Sequence, residues 1–148
     1  MKRALSRIRE LTPRNWGGRL TACIDVLNHY FRGWYGYFGV CSPYAKRELQ
    51  KLDGRARRRL RAIQLKQWKR KRTVARRLSR MRRSNKVWRN VYQGRRGWWS
   101  LSRDGVVNYR LTNRWFESKG YQSLTKRHEA KHAMDAPNDT HQLGFQWG

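Results

Sequence analysis

Acidic residues are scarce: the 148-residue chain carries 9 Asp and Glu against 36 Lys and Arg, a formal net charge of +27. Local ion pairs cannot compensate so many cations, and a compact body of this charge repels itself unless a polyanion joins it. A free, inert monomer is the poorest fit. Cys23 and Cys41 are the only two cysteines. That excludes a disulfide framework and a four-cysteine zinc site, and a reducing, cytoplasmic setting is expected. No run of about 18 apolar residues exists, so no membrane span is expected. The longest apolar stretch, Trp34 to Cys41, is interrupted by two glycines. The N-terminus Met1-Lys2-Arg3-Ala4-Leu5-Ser6 leads into Arg7, Arg9 and Glu10, which leaves no hydrophobic region for a secretory signal. The chain also lacks a P-loop and a G-x-S-x-G elbow. Its carboxylates Glu10, Asp25, Glu48, Asp53, Asp104 and Glu117 stand singly, so no paired-carboxylate metal site can be read. No catalytic residue, metal ligand or cofactor is expected.

The apolar pattern is helical. Leu5, Ile8 and Leu11 recur every three residues until Pro13 stops the first segment. Leu20, Ile24, Leu27, Phe31, Trp34 and Phe38 then form a stripe of about five turns, closed by Gly39, Ser42 and Pro43. A third helix is expected with Ser42 as N-cap and Pro43 at its first position. It carries Leu49, Leu52, Ala56, Leu60 and Ile63 on one face and extends through Leu65 and Trp68, and Asp53-Gly54 could kink it. Shorter helices are expected from Val74 to Met81, from Asn85 to Tyr92, and from Val107 through Leu111, Trp115 and Phe116 to Gly120. Gly94 to Gly97 reads as a loop. No alternating strand pattern and no repeat is visible. The expected fold is all-α: a small helical bundle with basic loops over residues 1–124, followed by a loosely ordered polar tail over 125–148.

Between Gly54 and Arg103 there is no acidic residue. A merely solvated face mixes signs so that neighbours pair, and this run does not. It reads instead as a nucleic-acid-binding face, with Arg forks suited to phosphate and to exposed bases in RNA. The candidate contacts are Arg32, Arg55, Arg57, Arg58, Arg59 and Arg61, then Lys66, Lys69, Arg70, Lys71, Arg72, Arg76 and Arg77, then Arg95 and Arg96. The chain holds eight Trp, seven Tyr and four Phe. Phe31, Trp34 and Phe38 share the helix stripe and read as core. Trp98 and Trp99, beside Gly97 and two arginines, read as loop aromatics able to stack on an unpaired base.

His128-Glu129-Ala130-Lys131-His132 matches H-E-x-x-H, in which two histidines one turn apart bind zinc and the glutamate acts as base. The G-x-x-H continuation fails at Asp135 and Asn138, leaving only Asp135, Asp139 and His141 as further donors. An accidental match is therefore expected.

The segment Leu27-Asn28-His29-Tyr30-Phe31-Arg32-Gly33-Trp34-Tyr35-Gly36-Tyr37-Phe38 resembles the L-N-x-x-[LF]-R-G-W-x-x-Y-F signature of the maturase-specific domain of group II intron reverse transcriptases. Arg57-Arg58-Arg59-Leu60-Arg61 with Trp68-Lys69-Arg70 resembles that family's R-R-L-R…W-K pattern. Gly97-Trp98-Trp99-Ser100-Leu101-Ser102 resembles its G-x-W-x-[LM]-S element. Asn113-Arg114-Trp115-Phe116 with Gly120-Tyr121-Gln122-Ser123-Leu124 resembles its close. The resemblance implies a helical thumb that grips structured RNA, group II intron RNA above all, and assists splicing that the RNA itself performs. The fingers and palm, with their paired aspartates, and the Cys-rich H-N-H endonuclease have no counterpart in this sequence. A truncated or split form without polymerase or nuclease activity is therefore expected. One alternative is the thumb half of a reverse transcriptase completed by a separate fingers-palm chain; another is a basic structural protein of an RNA-protein particle.

Overall fold

The apolar stripe forms a helix over Leu20–Phe38 (α2), the second of the bundle. The structure is a computed structural model that describes residues 2–38 and 46–135. In α2, Leu20, Cys23, Ile24, Leu27, Phe31 and Tyr35 are buried, at the three- and four-residue spacing of one helical face. Tyr35 occupies the buried position that the sequence assigns to Trp34, which is half-buried against the core. The Phe38 side chain lies outside the described residues, as do Gly39, Ser42 and Pro43.

Helix α1 spans Lys2–Leu11 and buries Ala4 and Ile8. It stops at Thr12, whose hydroxyl donates to the Ile8 carbonyl at 2.6 Å, with Pro13 following. Helix α3, Lys46–Gln67, is the spine, packing against α1, α2, the short helix at Trp98–Leu101 and the last helix of the bundle. Leu49, Leu52, Ala56, Leu60, Ile63 and Leu65 are all buried along it. It runs through Asp53-Gly54 without interruption, because Asp53 is buried against other elements and is not turned back on its own backbone. Lys69, at φ +66°, breaks the chain direction before α4, Lys71–Met81.

Ser84 caps α5, Asn85–Val87, which continues as one π-helical turn over Trp88–Tyr92. Helix α6 covers Trp98–Leu101, so Trp98 and Trp99 form a helical turn and not part of the expected loop. The single helix expected toward Gly120 is two, α7 at Gly105–Asn108 and α8 at Asn113–Ser118. The break falls where Thr112 Oγ1 accepts the Trp115 amide at 3.2 Å and starts a new helix. Helix α9, Leu124–Asp135, packs on α3 with Leu124 and His128 buried. Helix α9 thus occupies the first part of the segment that the sequence reads as a polar tail. Residues 136–148 lie outside the described residues. Among the described residues there is no strand, and no helix is long and apolar enough to cross a membrane.

With few carboxylates to pair, the interior binds its arginines to backbone carbonyls at helix C-termini and between helices. Arg59 Nη2 donates to Thr12 O at 2.7 Å, just past α1. Arg110 Nη2 donates to Arg82 O at 2.7 Å, just past α4, and its Nε to Leu78 O at 3.0 Å. Arg61 Nε donates to Leu111 O at 2.9 Å, between α7 and α8. Unpaired carbonyls at helix C-termini carry partial negative charge, so they suit a guanidinium fork.

Candidate nucleic-acid interface

Helical periodicity divides the basic run of α3 between two faces. Arg55, Arg58 and Arg59 turn toward α1 and α6, where they surround Trp99. The guanidinium carbon of Arg58 lies 3.7 Å from the Trp99 ring centroid, and those of Arg14, Arg55 and Arg59 lie 5.7, 5.8 and 5.7 Å away. Arg58 is held by the Trp99 carbonyl at 3.2 Å and the Ser102 hydroxyl at 3.3 Å. Arg59 Nε donates to Thr12 Oγ1 at 2.6 Å. Burial, and then the neighbouring arginines, lower the pKa of both Arg58 and Arg59.

Two adjoining cavities open on this cluster. An apolar one of about 230 Å³ has Ala62, Ile63, Gly97 and Trp98 in its wall. A polar one of about 280 Å³ is lined by Ser6, Arg9 and Arg55. Arg14, Arg59 and Trp99 line both, and no carboxylate lines either. Arg9 joins the site from the end of α1 and Arg14 from the turn that follows Pro13. Both lie outside the acid-free run, so that run gave no signal for them.

The opposite face of α3 departs from expectation at Arg61. It is 9% exposed, donates to Leu111 O and lies 5.2 Å from the Phe116 ring, so its guanidinium is engaged inside the fold. Burial, and then Arg57, push its pKa down to about 10. Arg57 is half-buried beside Asn113, Arg114 and Glu117, away from the Trp99 cluster. Lys71 is half-buried, donates to the Arg96 carbonyl and sits 4.5 Å over Trp98. Arg96 pairs with Asp104 and with Ser100 Oγ at 3.0 Å. Arg32, Lys66, Lys69, Arg70, Arg72, Arg76, Arg77 and Arg95 are exposed. Arg32 stands on α2, apart from the others in sequence.

At the H-E-x-x-H segment, His128 is buried with Nδ1 3.2 Å from the Tyr35 hydroxyl, and Glu129 pairs with Lys46 at 2.8 Å. The His128 and His132 rings lie edge to face, 4.2 Å apart. Among the described residues no group of three or more His, Cys, Asp or Glu is placed to hold a metal ion. Of the further donors that the sequence offers, Asp139, His141 and the side chain of Asp135 lie outside the described residues.

The chain matches the family model of the group II intron maturase-specific domain over residues 1–88. It belongs to that family. No curated protein matches it in sequence. The matched part of this maturase-specific domain runs from α1 to the start of the π-helical turn, and the segments beyond it are fastened to it by side chains within it. Asn28 Nδ2 donates to Gly120 O at 2.7 Å, and Asn28 Oδ1 accepts the Gln122 amide at 2.9 Å. Gly120 takes φ +97°, a conformation that favours glycine. Arg58 reaches Trp99 and Ser102, and Arg61 reaches Leu111. Several residues that carry the sequence resemblance thus act as joints of the fold.

Proposed function

We propose that this maturase-specific domain is an RNA-binding module that holds folded group II intron RNA in its splicing-competent shape, working in a reducing, cytoplasmic setting. The observation that carries this reading is the cluster of Arg9, Arg14, Arg55, Arg58 and Arg59 around Trp99 of α6, with no carboxylate lining its cavities. Phosphate oxygens are the complement of such a cluster, and a stacked Trp–Arg pair suits bases. The domain acts without polymerase, nuclease or protease turnover of its own; transesterification belongs to the RNA.

The test uses the purified chain freed of nucleic acid, with a group II intron RNA and a structured RNA of equal length as competitor. Tighter binding to the intron, with faster splicing at limiting magnesium, is expected. Equal affinity for both RNAs and unchanged splicing would defeat the reading. Primer extension only after mixing with a separate fingers-palm chain would favour the split-enzyme alternative.

A further inference from the structure

The two cavities at Trp99 differ in chemistry while sharing walls. One is apolar, floored by Ala62 and Ile63 and walled by Trp98 and Trp99; the other is lined by arginines. Between them stand Arg14, Arg59 and Trp99. Arg59 is locked by Thr12, and Arg58 clamps Trp99 through its ring and its carbonyl, so these parts of the wall are set before any ligand arrives. Arg14 and Arg55 are exposed, and neither makes an ion pair among the described residues. An apolar slot walled by two indoles, next to a carboxylate-free arginine cavity, is complementary to a planar heterocycle joined to a phosphate.

We propose that this pair of cavities is a pocket for a single unpaired RNA nucleotide, its base inserted beside Trp98 and Trp99 and its phosphate held by Arg14, Arg55 and Arg59. This rests on the RNA-binding reading above and adds that the protein discriminates an extruded nucleotide from a paired one. A paired base is stacked inside the A-form helix, so its flat face cannot enter the slot; a bulged or flipped base can. Phosphates of a continuous duplex still reach the outer arginines. Recognition of the extruded base therefore comes on top of general phosphate binding.

Two substitutions fill the apolar cavity while leaving every arginine in place. Ala62→Leu sits on α3, where Leu is a good helix former. Gly97→Leu sits at the N-cap of α6, at an ordinary φ of −72°, where an added Cβ meets nothing within 4 Å. The probes are a fully paired RNA duplex, the same duplex with one bulged 2-aminopurine nucleotide, and free adenosine monophosphate as competitor. Thermal melting of each variant confirms that it folds.

The wild-type chain is expected to bind the bulged RNA about ten-fold tighter than the duplex and to change the 2-aminopurine fluorescence on binding. Each folded variant is expected to bind both RNAs with the duplex affinity and the same salt slope. Salt-dependent binding that is equal for bulged and paired RNA would overturn the pocket and leave the RNA-binding reading standing. Preference for the bulge that persists in both folded variants would also overturn it. Adenosine monophosphate binding with no preference for the bulge would assign the pocket to a free nucleotide, against the proposal. Failure to bind any RNA would overturn both readings.

Discussion

Asp53 is a buried carboxylate in a chain that has few, and it bridges α3 to the start of α9. Its oxygens accept from Tyr121 Oη at 2.7 Å, from Ser123 Oγ at 2.9 Å, from Thr125 Oγ1 at 2.6 Å and from the amides of Leu124 and Thr125 at 3.0 and 2.9 Å. It thus caps α9 from another helix and places negative charge at that helix's N-terminus. Burial, and then Asp53, raise the Tyr121 pKa well above its ordinary value, so the phenol stays a donor. Asp53→Ala is expected to cost on the order of 3 kcal/mol, from the lost cap and the stranded donors, as measured by denaturant unfolding. Asp53→Asn should cost less.

His128, on the inner face of α9, gives a pH signature at the same scale. Burial, and then His132, lower its pKa in the folded chain below the ordinary 6.5, with Glu129 opposing and Lys131 and Lys46 adding to the shift. The unfolded chain therefore binds the proton more readily. The stabilisation is complete above about pH 6.5 and is lost as pH falls through the lowered folded value. Melting temperature should accordingly drop on acidification below pH 6.5, and His128→Gln should flatten that part of the profile.

Among elements, α2 and α3 separate residues that look alike in sequence. Phe31 is 1% exposed, whereas Trp34 is only half-buried. Phe31→Ala is expected to cost about 3–5 kcal/mol and Trp34→Ala clearly less, by chemical denaturation. On α3, Arg61 and Arg55 make a second contrast. Arg61→Ala strands the Leu111 carbonyl and should destabilise by about 1–3 kcal/mol. Arg55→Ala should leave the melting temperature unchanged and weaken RNA binding instead. Equal melting temperatures for the two variants would contradict the placement of Arg61 in the core.

For the whole molecule, the outward arginines and lysines give the proposed RNA binding its electrostatic signature. With about 6–10 phosphates neutralised, RNA affinity should fall by about 10³–10⁵ between 50 and 200 mM salt. A flat titration would contradict a phosphate-dominated interface. The same residue type also ties the fold together, since Arg59 and Arg110 donate to carbonyls just past the C-termini of α1 and α4, and Arg61 donates to the Leu111 carbonyl between α7 and α8.

The all-α class, the buried face of α3, most of that of α2, the family and the excess of positive charge are legible in the sequence alone, although Tyr35 and not Trp34 takes the buried place on α2. These follow from periodicity, ordered short motifs and composition, which are local or additive. Packing, not sequence, settles which arginines face outward, brings Arg9 and Arg14 to Arg55, Arg58 and Arg59, and sets Trp99 at their centre. Those residues are brought together by the packing of α1 and α6 on α3. A run of basic residues does not reveal which guanidiniums will find a helix-end carbonyl, because that carbonyl is supplied by distant chain. The joining of Asn28 to Gly120 and of Asp53 to α9 was hidden for the same reason: one polar side chain has no periodicity, and its partner is set by the fold.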